Sequence, residues 1–228
     1  YDPSDILGYK MQKPWPGHVE TSWFHSSDYN YYASESHRSM FLKNLNIPEE
    51  YHHKAIRSGQ PHELIVDSLT QYQSTDKQDT VMWPHRYNAD KQPEIAEALS
   101  DTFDMIITQK MKLDKADYYA KMGQSKLIFS CALHENLGIS VMEAVLTGAV
   151  PVVPDRCSYS EMYLPEFKYP SEWTEDYAAF VYYRNDLVNF IQDKLDNFET
   201  YQQLIKDQQQ ILINNYLSSK IMLDTILK

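Results

Sequence analysis

The chain has 228 residues, 43% of them hydrophobic, enough for one large domain or two small ones with an apolar core. Its net charge of −11 is uneven, −2 over residues 1–66 and −9 over 67–228, which argues against a continuous basic groove for nucleic acid in the second part. Two cysteines, Cys131 and Cys157, make no disulfide framework and no apolar run reaches the length of a membrane span, so a reducing, cytoplasmic setting is expected.

Residues 1–20 are rich in Pro, Gly and aromatics and read as a loop with one helical turn at 5–8. A helix is expected over 20–27 and a short strand over 29–33. A second helix over 36–45 is capped by Ser34 ahead of Met40, Phe41 and Leu45. Pro48 starts a further turn, and 52–56 reads as extended, ending at the turn SGQP, 58–61. The sequence opens at Tyr1 inside what reads as a structured segment, so residues 1–66 are expected to form a partial N-terminal domain. Residues 67–79 are polar and aperiodic and read as a linker.

A second domain is expected over 80–183, with helices over 184–228. Val81, Met82 and Trp83 make a strand. Asp90 is placed as the cap of the helix after it, with Pro93 in the first turn and Ala96, Leu99 and Phe103 as the apolar stripe. Met105, Ile106 and Ile107 make the next strand. Only residues 108–117 then precede a helix over 117–122. That is too short for another strand and a regular parallel crossover, so an irregular or broken connection is expected near 109–112. Residues 158–162 read as a helical turn and 163–169 as extended. Leu187, Phe190, Ile191, Leu195 and Phe198 recur at helical spacing. A break is expected at 214–218, with Ser218 or Ser219 capping a last helix.

The stretch that organises the chain is 126–154, KLIFSCALHENLGISVMEAVLTGAVPVVP. Its ends are apolar runs with the character of buried strands, and Ile139, Met142, Val145 and Leu146 give the middle a helical face. Glu135 and Glu143, with seven residues between them, flank the start of that helix. The short loop of Asn136, Leu137 and Gly138 brings backbone N–H groups to a helix N-terminus, where an anion is welcome. Strand, acidic loop, helix and strand form a βαβ unit with a polar site at the carboxyl end of a strand. The plain alternatives are a helix cap for Glu135 and a solvated helix residue for Glu143.

This stretch resembles the glutamate-x7-glutamate signature of family 4 retaining glycosyltransferases. The resemblance implies an α/β GT-B fold with two Rossmann-like domains, the N-terminal one incomplete in this chain. It implies that Glu135 meets sugar hydroxyls, that Glu143 meets the ribose, and that Asn136, Leu137, Gly138 and Ile139 border sugar and diphosphate. Arg86 and Lys91 then fall on the donor diphosphate, where fixed cations stabilise leaving-group charge without a metal; otherwise they are surface cations. His134 is placed in the donor pocket, with a hydrogen-bonded core histidine as the alternative. YDPSDILG, 1–8, and DYNYYASESHRSMF, 28–41, resemble a narrower group: glycosyltransferases of large tailed phages that modify DNA bases, and the related queuosine-tRNA mannosyltransferases.

The activity so implied is a metal-independent hexosyl- or pentosyltransferase with no cofactor and a UDP- or GDP-sugar donor. Its acceptor is expected to be a hydroxylated base in phage DNA, then a tRNA base, then a small molecule or protein. Other readings are a nucleotide-sugar-binding module without catalysis, and an epimerase or phosphorylase on the same architecture. Tyr29, Tyr31 and Tyr32 are expected in a core or interface rather than stacked on a base. No zinc spacing, P-loop or Gly-x-Ser-x-Gly elbow occurs.

Overall fold

The computed structural model describes residues 15–228. The helical turn expected at 5–8, and the block 1–8, lie outside these residues. The N-terminal part begins with α1, Trp15–Ser26, and β1, Asn30–Tyr32. The helix α2, Glu35–Asn44, starts where expected: the Ser34 hydroxyl accepts the His37 N–H at 3.2 Å. The extended segment expected at 52–56 is instead a 3-10 helix, Glu49–Lys54, entered from Pro48, and only then the strand β2, Ala55–Arg57. β2 pairs in parallel with β1, Asn30 opposite Ala55 and Tyr32 opposite Arg57. Phe24, Tyr32, Leu42, Ile47 and Ala55 form the small core of this unit.

The segment expected as a linker begins inside a helix. α3, Glu63–Thr70, runs through its first four positions because Ile65, Val66 and Leu69 face the large core, Leu69 being fully buried. The chain then reaches the second unit with β3, Gln78–Trp83, followed by α4, Pro93–Leu99, and β4, Asp104–Ile107.

The connection after β4 corrects an expectation. It is regular: α5, Thr108–Met111, ends at Lys112 in the left-handed region (φ 50°), and Asp114 caps α6, Lys115–Gln124, by accepting the Asp117 N–H at 2.9 Å. No strand intervenes among the described residues. α6 is itself the crossover and delivers the chain to β5, Ser125–Phe129, so the whole of 108–124 is available for it.

Then come α7, Ile139–Leu146; β6, Val150–Pro154; α8, Tyr159–Met162; and β7, Lys168–Tyr169. A 3-10 turn, Pro165–Phe167, shortens the extended segment expected over 163–169 to those last two residues. The C-terminal helices start earlier than 184. Asp176 caps α9, Tyr177–Asp196, by accepting the Ala179 N–H at 2.7 Å. α10, Gln202–Tyr216, and α11, Lys220–Ile226, follow. Ser218 Oγ accepts the Lys220 N–H at 3.2 Å, while the Ser219 side chain makes no cap.

The five strands of the second unit are all parallel, in the order β4-β3-β5-β6-β7. Both faces are covered, as continuous apolar strands require. Val81, Trp83, Leu127, Phe129, Val150 and Val152 pack with Ile95 and Leu99 of α4 and Leu187 and Ile191 of α9. Met82, Ile128 and Val153 pack on the other side with Met122 of α6, Val141 and Val145 of α7 and Leu212 of α10. The chain steps outward from β3 to β4 and then back past β3 to β5. The carboxyl ends of β3 and β5 therefore border the point where the strand order reverses, where such sheets hold ligands.

The end of α10 closes on the N-terminal unit. Gln60 and His62 donate their N–H groups to the carbonyls of Tyr216 and Leu217 at 2.8 and 2.9 Å, and the Arg57 guanidinium lies 4.4 Å over the Tyr216 ring.

Candidate functional site

The cleft at the switch point has a volume of about 510 Å³ and is lined by Pro84, His85, Arg86, Lys91, Gln109, His134, Glu135, Asn136 and Ser140. Five residues singled out in the sequence, Arg86, Lys91, His134, Glu135 and Asn136, thus meet in one place. They come from the end of β3, the turn before α4 and the loop after β5.

Lys91 is the centre of this arrangement. Its side chain is 9% exposed, and Nζ lies 3.3 Å from Glu135 Oε2 and 3.2 Å from Asp90 Oδ2, and donates to the His134 carbonyl. An ammonium has three N–H donors, and all are engaged, two of them with carboxylates. Asp90 is therefore a partner of the lysine and not the expected helix cap. The N-cap of α4 is Gln92, held in the left-handed region at φ 50°. Its side-chain amide donates to the carbonyls of Cys131 and Thr174 at 2.6 and 2.7 Å. Arg86 lines the cleft from an exposed position.

The loop after β5 is fixed from beneath. The Leu133 N–H donates to the Asp90 carbonyl at 2.7 Å. The Arg156 guanidinium donates to the carbonyls of Cys131, Ala132, Ser171 and Thr174. Gly138 starts α7 at φ +75°, and a β-carbon there would fall 2.7 Å from the Tyr159 ring, so glycine is required for both reasons. The α7 helix begins with the N–H groups of Ile139 and Ser140 beside the cleft, a favourable place for an anion. Leu137 is buried in the core, Ile139 is 39% exposed, and neither lines the cleft. Asn136 Oδ1 is buried and has no hydrogen-bond partner.

One site residue, His85, was missed in the sequence, together with the Ser130 that holds it. His85 is 4% exposed, and its Nε2 is 2.9 Å from Ser130 Oγ. Burial, with help from Lys91 and Arg86, pushes its pKa down to about 3, so it is neutral near pH 7. The signal available was only its place beside Arg86 at the end of a strand. Ser130 in turn receives the Tyr159 hydroxyl at 3.2 Å. Burial also lowers the pKa of His134, which Glu135 partly opposes.

Glu143 lies apart from Lys91. It accepts the Tyr119 hydroxyl at 2.8 Å, and burial raises its pKa. Its charge also acts on Tyr118, one wall of a second cleft with Thr108, Gln109, Lys112, Leu113, Asp114 and Lys115. The two clefts share Pro84 and Gln109; Glu135 lines the first, while Glu143 lines neither and stands behind the second on Tyr119. Among the described residues no group of three or more His, Cys, Asp or Glu side chains converges as a metal site would require, and no helix is long and apolar enough to cross a membrane.

No family model matches the sequence. Solved structures do. A point mutant of S. aureus TarM, in complex with fondaparinux, α-GlcNAc-glycerol and UDP, is similar with a TM-score of 0.62 at 13% identity, over 89% of this chain and 44% of that one. Sucrose-phosphate synthase from Thermosynechococcus elongatus gives 0.65 at 14% identity, over 95% and 61%. HepE from Anabaena, in complex with UDP and glucose, gives 0.65 at 16% identity, over 100% and 71%. The chain thus spans less than two thirds of the first two. At these identities the likeness is one of fold: α/β, with the parallel sheets of GT-B structures, as expected from the stretch 126–154.

Proposed function

We propose that the chain binds a nucleotide sugar and transfers its sugar with retention, without a metal, from a UDP- or GDP-linked donor. The observation that carries this reading is the buried Lys91, paired with Glu135 and Asp90 at the strand switch point and open to a cleft that Arg86 also lines. In the reaction the bond between the anomeric carbon and the phosphate oxygen breaks, the acceptor oxygen bonds to the same face, and its proton passes to the departing phosphate oxygen. Negative charge grows on the leaving diphosphate. Arg86, the N–H groups at the start of α7 and Lys91, once it exchanges one of its present acceptors for phosphate, stand where they would stabilise that charge. Glu135 would accept sugar hydroxyls, with the backbone of Asn136 beside it. His85, being neutral, adds no charge of its own. Glu143 would take the ribose, its carboxylate now held by the Tyr119 hydroxyl.

The acceptor we favour is a hydroxylated base in phage DNA, then a tRNA base. The support is the resemblance of 28–41, which forms β1, the Ser34 cap and most of α2 and reaches the loop after β5 through Ser34 and Asn136. Calorimetric titration with UDP and GDP, beside an assay of donor hydrolysis in EDTA, tests the donor reading. Binding of one nucleotide with metal-free turnover is expected. Failure of both nucleotides to bind would overturn it, and binding without any turnover would favour a binding module instead.

A further inference from the structure

The donor loop is tied to the N-terminal unit at two points, and both ties converge on the first turn of α2. Ser34 is fully buried. Its hydroxyl accepts the His37 N–H and donates to the Asn136 carbonyl at 2.7 Å, so it serves its own helix with one bond and the cleft loop with its single donor. The next two backbone N–H groups, of Glu35 and Ser36, donate to the two carboxylate oxygens of Glu161 at 3.1 and 2.8 Å. A carboxylate on the free N–H groups of a helix start is favoured by hydrogen bonding and by the helix dipole together.

Glu161 belongs to α8, and α8 also supports the loop. The Ser158 N–H donates to the Glu135 carbonyl at 3.4 Å, the Tyr159 ring abuts Gly138, and the Tyr159 hydroxyl reaches Ser130 beneath His85. The Tyr216 hydroxyl donates to the Glu161 carbonyl at 3.2 Å and so steadies α8 from the end of α10. The α8 turn therefore touches α2 on one side and the backbone of Glu135 and Gly138 on the other.

We propose that Ser34 and Glu161 are positioning residues: they latch the start of α2 to the donor loop, so that the placement of the N-terminal unit sets the placement of 135–138. What the latch orients as a donor loop rests on the function proposed above; the mechanical coupling itself does not. It assigns the N-terminal unit a role beyond contact with the acceptor. A shift of that unit on binding a partner is relayed to the groups that hold the sugar.

Hydrogen exchange on the whole chain, with and without nucleotide, tests this. The amides to follow are those of Val141 and Met142, which donate to the Gly138 carbonyl, and of Ser158, which donates to the Glu135 carbonyl. Glu161 is exposed, so Glu161→Ala is expected to fold. In it these amides should exchange at least about tenfold faster, since two hydrogen bonds to a charged group are lost, while β3 and β5 stay protected. Ser34→Ala should do the same from the other tie. Acceleration confined to residues 34–38 in both variants would mean simple helix capping and would overturn the latch. Should Ser34→Ala lose protection throughout, Glu161→Ala decides alone. UDP or GDP should slow exchange over 135–143 in the unmodified chain. If neither does, the donor reading fails, while the comparison of the ligand-free variants still settles the latch.

Discussion

Lys91 and Lys77 are drawn out of water at opposite ends of the same sheet, and their acceptors differ in kind. Lys77, at the amino end, donates only to carbonyls, those of Ser125 and Thr147 at 3.2 and 2.9 Å. Thr147 is the C-cap of α7, so the ammonium closes a helix end where a cation is favoured. Burial alone pulls its pKa down to about 8. Lys91, at the carboxyl end, is held by two carboxylates in an open cleft. A cation that meets only carbonyls completes the fold. One surrounded by carboxylates at a strand switch point carries charge that a ligand can share.

The largest effect should come from Lys91→Ala. It leaves Asp90 and Glu135 facing each other without the ammonium. Breaking such a buried pair costs about 3 kcal/mol in urea unfolding, and if Lys91 steadies leaving-group charge as proposed, its loss should cut donor turnover by about 10²- to 10³-fold. Unchanged turnover with the same loss of stability would make Lys91 as structural as Lys77 and erase the contrast.

The roles proposed for the two glutamates can be separated in the same way. Glu143→Ala should weaken binding of the nucleoside diphosphate by about ten- to a hundredfold, since a hydrogen bond to a charged group contributes roughly 1.5–3 kcal/mol. Glu135→Ala should leave that affinity in place and lose turnover. Titration of both variants with UDP and GDP checks the split, and equal losses of affinity would show that the sugar and ribose roles are misassigned.

What the sequence showed, and what it hid, follows from the range of each interaction. The strands of 81–83, 105–107 and 127–129 were legible because a parallel strand buried on both faces is an unbroken apolar run. Ser34 was legible because a cap acts within three residues. The stretch 126–154 was legible because its loop, glutamate and glycine must be consecutive. Distant pairing was not. The Tyr119 partner of Glu143 and the Ser130 partner of His85 lie 24 and 45 residues away. The crossover after β4 was misjudged because the strand order that makes α6 sufficient is a property of the whole sheet. Asp90 was misplaced because its carboxylate finds a better partner in the next residue than in the helix beyond it.

His85 sharpens the contrast through pH. Its folded pKa of about 3 lies below the ordinary imidazole value near 6.5. The unfolded chain therefore takes up a proton that the folded chain refuses as pH falls below 6.5. The stability is fully present above that value and declines toward pH 3 by roughly 1.4 kcal/mol per pH unit from this group. Urea unfolding between pH 7 and 4 should show a shallower decline for His85→Gln, by about one proton's worth of slope. Parallel curves would mean that the imidazole is hydrated after all.

The smallest effect should come from Lys77→Met, and its sign with pH is the informative part. At pH 7 the ammonium is charged in both states. Removing it relieves the burial of that charge but leaves two carbonyls without donors, so the two changes largely cancel and a net loss of about 1 kcal/mol is expected. Between pH 8 and 10.5 the unfolded lysine keeps its proton while the folded one releases it, so the native chain gains stability relative to the variant as pH rises. Urea unfolding of both proteins at pH 7 and 9.5 should therefore give a larger difference at the higher pH, with nucleotide affinity unchanged at pH 7. An equal difference at both values would mean that Lys77 is solvated. Its contrast with Lys91 would then lie in exposure and not in the chemistry of the acceptors.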